Sequence, residues 1–181
     1  MNRITTAIED LSYCGGCEIA LADLGESLLE LMDGAIELTY APLLMSATEP
    51  GQVDVMLITG AARNQEDIER LLRARKQARY LVAFGSCAAL GGIPSLGNLS
   101  GMQALLDAAY REAPSLTDGG GPPTREVPGL VDEVQPIDAY VDVDFYLTGC
   151  PPPPAMIADF LRTLLRRIKV QPAEEGQGGA E

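Results

Sequence analysis

Three short apolar runs, VDVMLITG (residues 53–60), YLVAFG (80–85) and VDFYLTG (143–149), each stop at a glycine, and segments of helical periodicity lie between them. Strands buried on both faces read as continuous apolar runs of this kind, and their alternation with helices is the signature of a parallel sheet. A further strand is expected from Ile4 to Ile8, followed by the loop SYCGGCE and a helix over IALADLGESLLELM. IELTYAPLLM reads as another strand. The spacing of NQEDIERLLRARKQA predicts a helix with Asn64 as its N-cap, and MQALLDAAYRE and Ala155–Val170 predict two more. The glycine-rich stretch AALGGIPSLGNLSG is expected to lack regular structure, and residues 113–138, with five prolines and four glycines, to form a long surface excursion. The fold class that follows is α/β, a flavodoxin-like open, mostly parallel sheet with helices on both faces. At 181 residues the chain reads as one domain, residues 1–170, with a disordered tail over 171–181.

Composition narrows the chemistry. The sequence has no histidine, which removes Ser-His-Asp and Cys-His catalysis, HExxH zinc sites and ordinary haem ligation together. A net charge of −13 disfavours nucleic acid and anionic membrane surfaces as partners. The cations are grouped, six between Arg63 and Arg79 and four more from Arg162 to Lys169. Solvated helix faces account for them more simply than a docking patch. No apolar window is long enough for a membrane span and no signal peptide or twin-arginine motif is seen, so a cytoplasmic location is expected. Four cysteines in that compartment point to metal or redox work rather than to disulfides.

Those cysteines are Cys14, Cys17, Cys87 and Cys150. Each falls just after an expected strand, and the carboxyl ends of parallel strands share one edge of the sheet, so four scattered thiols can converge there. Neighbouring glycines leave room for backbone to approach a bulky group, and Pro151–Pro154 stiffen the last loop. Four thiolates suit an all-cysteine zinc site or an iron-sulfur cluster. Structural zinc sites favour two close pairs in a small domain, whereas this chain has one pair, two single cysteines and a full core. A CxxC pair opening a helix is also the arrangement of a thiol-disulfide oxidoreductase, and an isolated cysteine is often just a small buried hydrophobe. Met32, Met45, Met56, Met102 and Met156 read as core residues, and no Walker or GxGxxG motif supports nucleotide binding.

Three segments then become specific in combination. SYCGGCEIALADL, VAFGSCAALGGIPSLGN and YLTGCPPPP resemble, in order and spacing, the cluster-binding segments of the nickel-iron hydrogenase small subunit, of the same superfamily as the complex I 20 kDa subunit. Complex I relatives have adjacent cysteines where this chain has CGGC, which places the likeness on the hydrogenase side. The resemblance implies that Cys14, Cys17, Cys87 and Cys150 hold one proximal 4Fe-4S cluster. It also implies a nickel-iron large subunit as partner, with iron-sulfur and flavin subunits reducing NAD(P) or a similar carrier downstream. FMN is an option for a flavodoxin-like fold that no motif here calls for. Non-hydrogenase subunits of complex I-like enzymes stay open as an alternative. Glu18 is read either as an acid favoured by its helix terminus or as a proton-assisting group reaching the large subunit. Ser86 and Thr148 stand beside ligands as donors to cluster sulfur, and the acidic surface is expected to lower the cluster's potential.

Overall fold

The computed structural model describes residues 3–46, 49–116 and 121–170, with side chains to residue 168, so the expected tail lies outside the described residues. Five parallel strands form the main sheet: β1 (Ile4–Asp10), β2 (Ile36–Tyr40), β3 (Val53–Thr59), β5 (Ala78–Phe84) and β7 (Phe145–Leu147), ordered β2-β1-β3-β5-β7. With β4 (Ala62–Asn64) and β6 (Leu130–Gln135) set aside in a separate antiparallel pair, this is the flavodoxin order.

Strand order decides which face each helix covers. From β1 the chain passes through α1 (Gly16–Ala22) and α2 (Glu26–Gly34) outward to β2, then returns to β3 and moves the other way through α3 (Gln65–Gln77) to β5. Right-handed crossovers in opposite directions put their helices on opposite faces. Two apolar layers result. One packs Ile8, Val55, Leu57, Val82 and Phe84 against Leu21, Leu31 and the inner stripe of α6 (Pro154–Val170), including Ile157, Leu161 and Leu164. The other packs Ala7, Met56, Ile58 and Leu81 against Leu71 and Ala74 of α3 and Ala88 of α4 (Ser86–Leu90).

Local chemistry sets the helix ends. The Asn64 side chain accepts from the Asp67 N–H at 2.8 Å, as expected of an N-cap. The single helix expected over residues 19–32 is two, because the chain turns at Gly25 with φ 56. Two further expectations are corrected. The stretch expected to be irregular carries α4 and a 3-10 segment, Pro94–Leu99, before α5 (Met102–Tyr110). The supposed excursion over 113–138 returns as β6, whose Val131 and Val134 bury against Ala61 and Cys87, followed by a 3-10 turn holding the fully buried Ile137. Of the methionines, Met56 is core, whereas Met45 and Met156 are exposed. Among the described residues no helix is long and apolar enough to cross a membrane.

Candidate metal centre

All four cysteines reach the carboxyl edge of the sheet and line one small cavity, together with Tyr13, Gly60, Ser86 and Gly149. Cys14 lies in the loop after β1 and is exposed, while Cys17 is half-buried in the first turn of α1. Cys87 sits in the first turn of α4, and Cys150 is exposed just beyond β7. All four thiols are free.

Backbone hydrogen bonds sew the loops together. The Gly85 N–H donates to the Leu147 carbonyl at 2.7 Å and the Ser86 N–H to the Gly149 carbonyl at 2.8 Å. The Gly149 N–H donates in return to Ser86 Oγ at 3.0 Å, so the Ser86 oxygen ties one ligand loop to another. Ser12 and Ala61 exchange backbone bonds, and Ser12 Oγ donates to the buried Asp67 at 2.8 Å, which fixes the β1 loop to the start of α3. Asn98 pairs its side-chain amide with both backbone groups of Val134 at 2.9 Å each, holding the 3-10 segment beside Cys87 against β6.

The sulfurs sense one another. Burial pushes the Cys17 thiol up to about 12, with further contributions from the charges of Cys87, Cys14, Cys150 and Glu18. Burial also raises Cys87, opposed by the Ile93 backbone N–H aimed at it and reinforced by Cys150 and Cys14. Ionising Cys17 and Cys87 in such a place calls for a strongly cationic partner. Among the described residues, no three His, Cys, Asp or Glu side chains gather as the ligands of one metal ion. A cluster makes a different demand, since its four thiolates attach to separate irons and stand apart around it. Gly85 leaves room for one of these sulfurs: it has φ 90, and a β-carbon there would run into Cys17 Sγ.

Beside the thiols lies a buried acidic group not legible as such in the sequence. Glu18 has no exposed surface, so it points into the fold and not out toward a partner. Tyr13 Oη is 2.7 Å from both Glu18 Oε2 and Asp10 Oδ2, and Thr59 Oγ1 donates to Asp10 Oδ1 at 2.9 Å. Glu18 Oε1 has no hydrogen-bond partner among the described residues. Burial holds the Glu18 carboxyl above the usual carboxylate range, its hydrogen bond from Tyr13 opposes this, and Asp10 adds to it. The Tyr13 hydroxyl is raised by burial and by the two carboxylates it contacts. On the other side of Cys14, Cys87 and Cys150 opens a mostly apolar groove of about 750 Å³, lined by Ile93, Leu105, Leu106 and Tyr110.

The family model of the NADH ubiquinone oxidoreductase 20 Kd subunit matches residues 14–164. A curated relative from Methanocaldococcus jannaschii, one of the subunits of its F420-non-reducing hydrogenase vhu, is 40% identical over 90% of this chain and 57% of its own length. The chain thus spans little more than half of that relative. The NAD-reducing hydrogenase HoxS subunit delta of Cupriavidus necator is 28% identical over 83% of this chain and 73% of its own. Among solved structures, a chain of an NAD+-reducing NiFe-hydrogenase superposes with a TM-score of 0.86 at 34% identity, covering 96% of this chain and 97% of that one.

Proposed function

The chain belongs to the family of the NADH ubiquinone oxidoreductase 20 Kd subunit, and from that premise we propose that it is the small, electron-transferring subunit of a NiFe hydrogenase. In this reading Cys14, Cys17, Cys87 and Cys150 hold a single 4Fe-4S cluster. The observation that carries it is the meeting of four thiols from three strand-end loops in one cavity. A dithiol oxidoreductase would need only Cys14 and Cys17 and would leave the approach of Cys87 and Cys150 without a purpose. The NAD+-reducing hydrogenase chain supports the hydrogenase assignment by likeness over nearly its whole length.

Such a cluster supplies one-electron transfer at a potential set by its surroundings. The residues of this chain do the rest. Cys14 and Cys150, exposed at the edge, mark the side on which a large subunit carrying the nickel-iron site approaches. Cys17 and Cys87, half-buried, keep the inner side dry. The Ile93 N–H favours negative charge on the Cys87 sulfur, and the Ser86–Gly149 bonds hold the two singly placed ligands in register. Electrons then leave to iron-sulfur and flavin subunits that reduce NAD(P) or a similar carrier, in the cytoplasm, where thiols stay reduced. The reading invokes no FMN in this chain.

Anaerobic purification with iron, sulfide and zinc analysis, followed by electron paramagnetic resonance before and after dithionite, tests it. About four irons and four sulfides per chain with a signal that appears on reduction are expected, as is a nickel-containing protein co-purifying with the chain. Cys87→Ser should lose or convert the cluster and abolish hydrogen-dependent dye reduction by the complex. One zinc and no paramagnetic signal would overturn the reading.

A further inference from the structure

Two adjacent glycines, Gly15 and Gly16, separate Cys14 from Cys17, and Gly15 takes φ 82. Gly16 and Cys17 already belong to the first turn of α1, but the turn at Gly15 has little order of its own, so the placement of Cys14 relative to Cys17 has to be imposed from outside it. The residue before the first cysteine is Tyr13 and the residue after the second is Glu18. Their side chains meet at 2.7 Å across the mouth of the loop. The same hydroxyl lies 2.7 Å from Asp10 at the end of β1, and Asp10 is bound in turn by Thr59 at the end of β3. The two flanks of CGGC are therefore fastened to each other and to two neighbouring strands through one oxygen atom.

Asp10, Glu18 and Thr59 are all buried, and apolar side chains would fill that space without the cost of desolvating two carboxyl groups. What the polar arrangement adds is direction: hydrogen bonds fix the distance between the flanks, which dispersion contacts do not. We propose that Tyr13 is a positioning residue, clasping the CGGC loop through Glu18 and Asp10 so that Cys14 and Cys17 hold their metal group in one geometry. This rests on the reading of those cysteines as cluster ligands.

The test uses the full chain, loaded with iron and sulfide anaerobically. Tyr13→Phe removes only the hydroxyl. It should retain the wild-type circular dichroism and iron content, lose iron to a chelator about tenfold faster, and change both the paramagnetic line shape and the reduction potential of the loaded protein. Glu18→Gln, whose amide oxygen can still accept from Tyr13, should stay close to wild type, while Glu18→Ala should behave like Tyr13→Phe. The Tyr13→Phe/Glu18→Ala double variant should be no worse than either single one, since both break the same clasp. If Tyr13→Phe does not fold, Glu18→Ala against Glu18→Gln makes the same comparison. Wild-type iron release, line shape and potential in Tyr13→Phe would overturn the clasp and leave the cluster reading standing. A wild-type chain that takes up no iron would overturn the cluster reading itself.

Discussion

A single methyl group at position 85 tests how tightly the four-thiol site is drawn. Gly85 needs φ 90, and its missing side chain is the space that Cys17 Sγ occupies. Gly85→Ala should cost about 1–2 kcal/mol in conformational strain alone and lower the iron content of the purified chain, checked by thermal unfolding and metal analysis. A second residue-scale prediction concerns the pair Glu9 and Arg70, joined at 2.5 Å with Glu9 almost wholly buried. Burial raises the Glu9 carboxyl, and the attraction of Arg70 does not fully offset it. A raised carboxyl binds its proton more tightly in the folded state. Its contribution to stability is therefore complete below the ordinary glutamate range and is lost as pH rises through the raised value. Glu9→Gln should remove that decline from a plot of stability against pH. Arg70→Ala, which strands the carboxylate, should destabilise the fold by about 3 kcal/mol near neutrality in denaturant titration. At this scale the four cysteines and their glycines were legible in sequence, because thiols are few and their loops repeat one pattern. Glu18 was not, since whether an acid at the start of a helix turns outward or inward depends on Tyr13 and Asp10 meeting it.

Among the elements, α3 shows how far periodicity carries. Its Asn64 cap and, to within a residue, its bounds were legible in the sequence, and the structure buries its Leu71 and Ala74 against the sheet. Leu71 is wholly buried, so Leu71→Ala should cost about 2–5 kcal/mol, read from the midpoint of urea unfolding. The strand β6 is hidden in the sequence for the opposite reason. Its residues LVDEVQ bury only Val131 and Val134, and it pairs with a three-residue partner, so neither alternation nor a continuous apolar run marks it. Beyond its pairing with β4, it is held by the Asn98 side chain, which bonds both backbone groups of Val134. Asn98→Ala should therefore free the Val134 N–H and carbonyl and raise amide exchange across residues 130–135 while leaving β3 protected, as hydrogen-exchange mass spectrometry would report.

In the whole molecule, two apolar layers cover the sheet, while the four thiols at its carboxyl edge come from the loops after β1, β5 and β7. Cys14 and Cys17 follow β1, Cys87 follows β5 and Cys150 follows β7. A group held by all of them would bind the folded state and not the unfolded one, so its removal by a chelator should lower the midpoint of thermal unfolding. The loops at residues 11–17, 85–92 and 148–152 should loosen first, with β3 unaffected. The same arrangement has a consequence in time. A ribosome delivers the chain from its amino end, and the last thiol emerges only after β7, the strand that pairs with β5 at the far edge of the sheet. No nascent fragment ending before residue 150 carries all four thiols. A group held by all four thiols would therefore be completed only after β7 has been made, and a chain stopping before residue 150 would also lack α6 and the apolar side chains it lends to one face of the sheet.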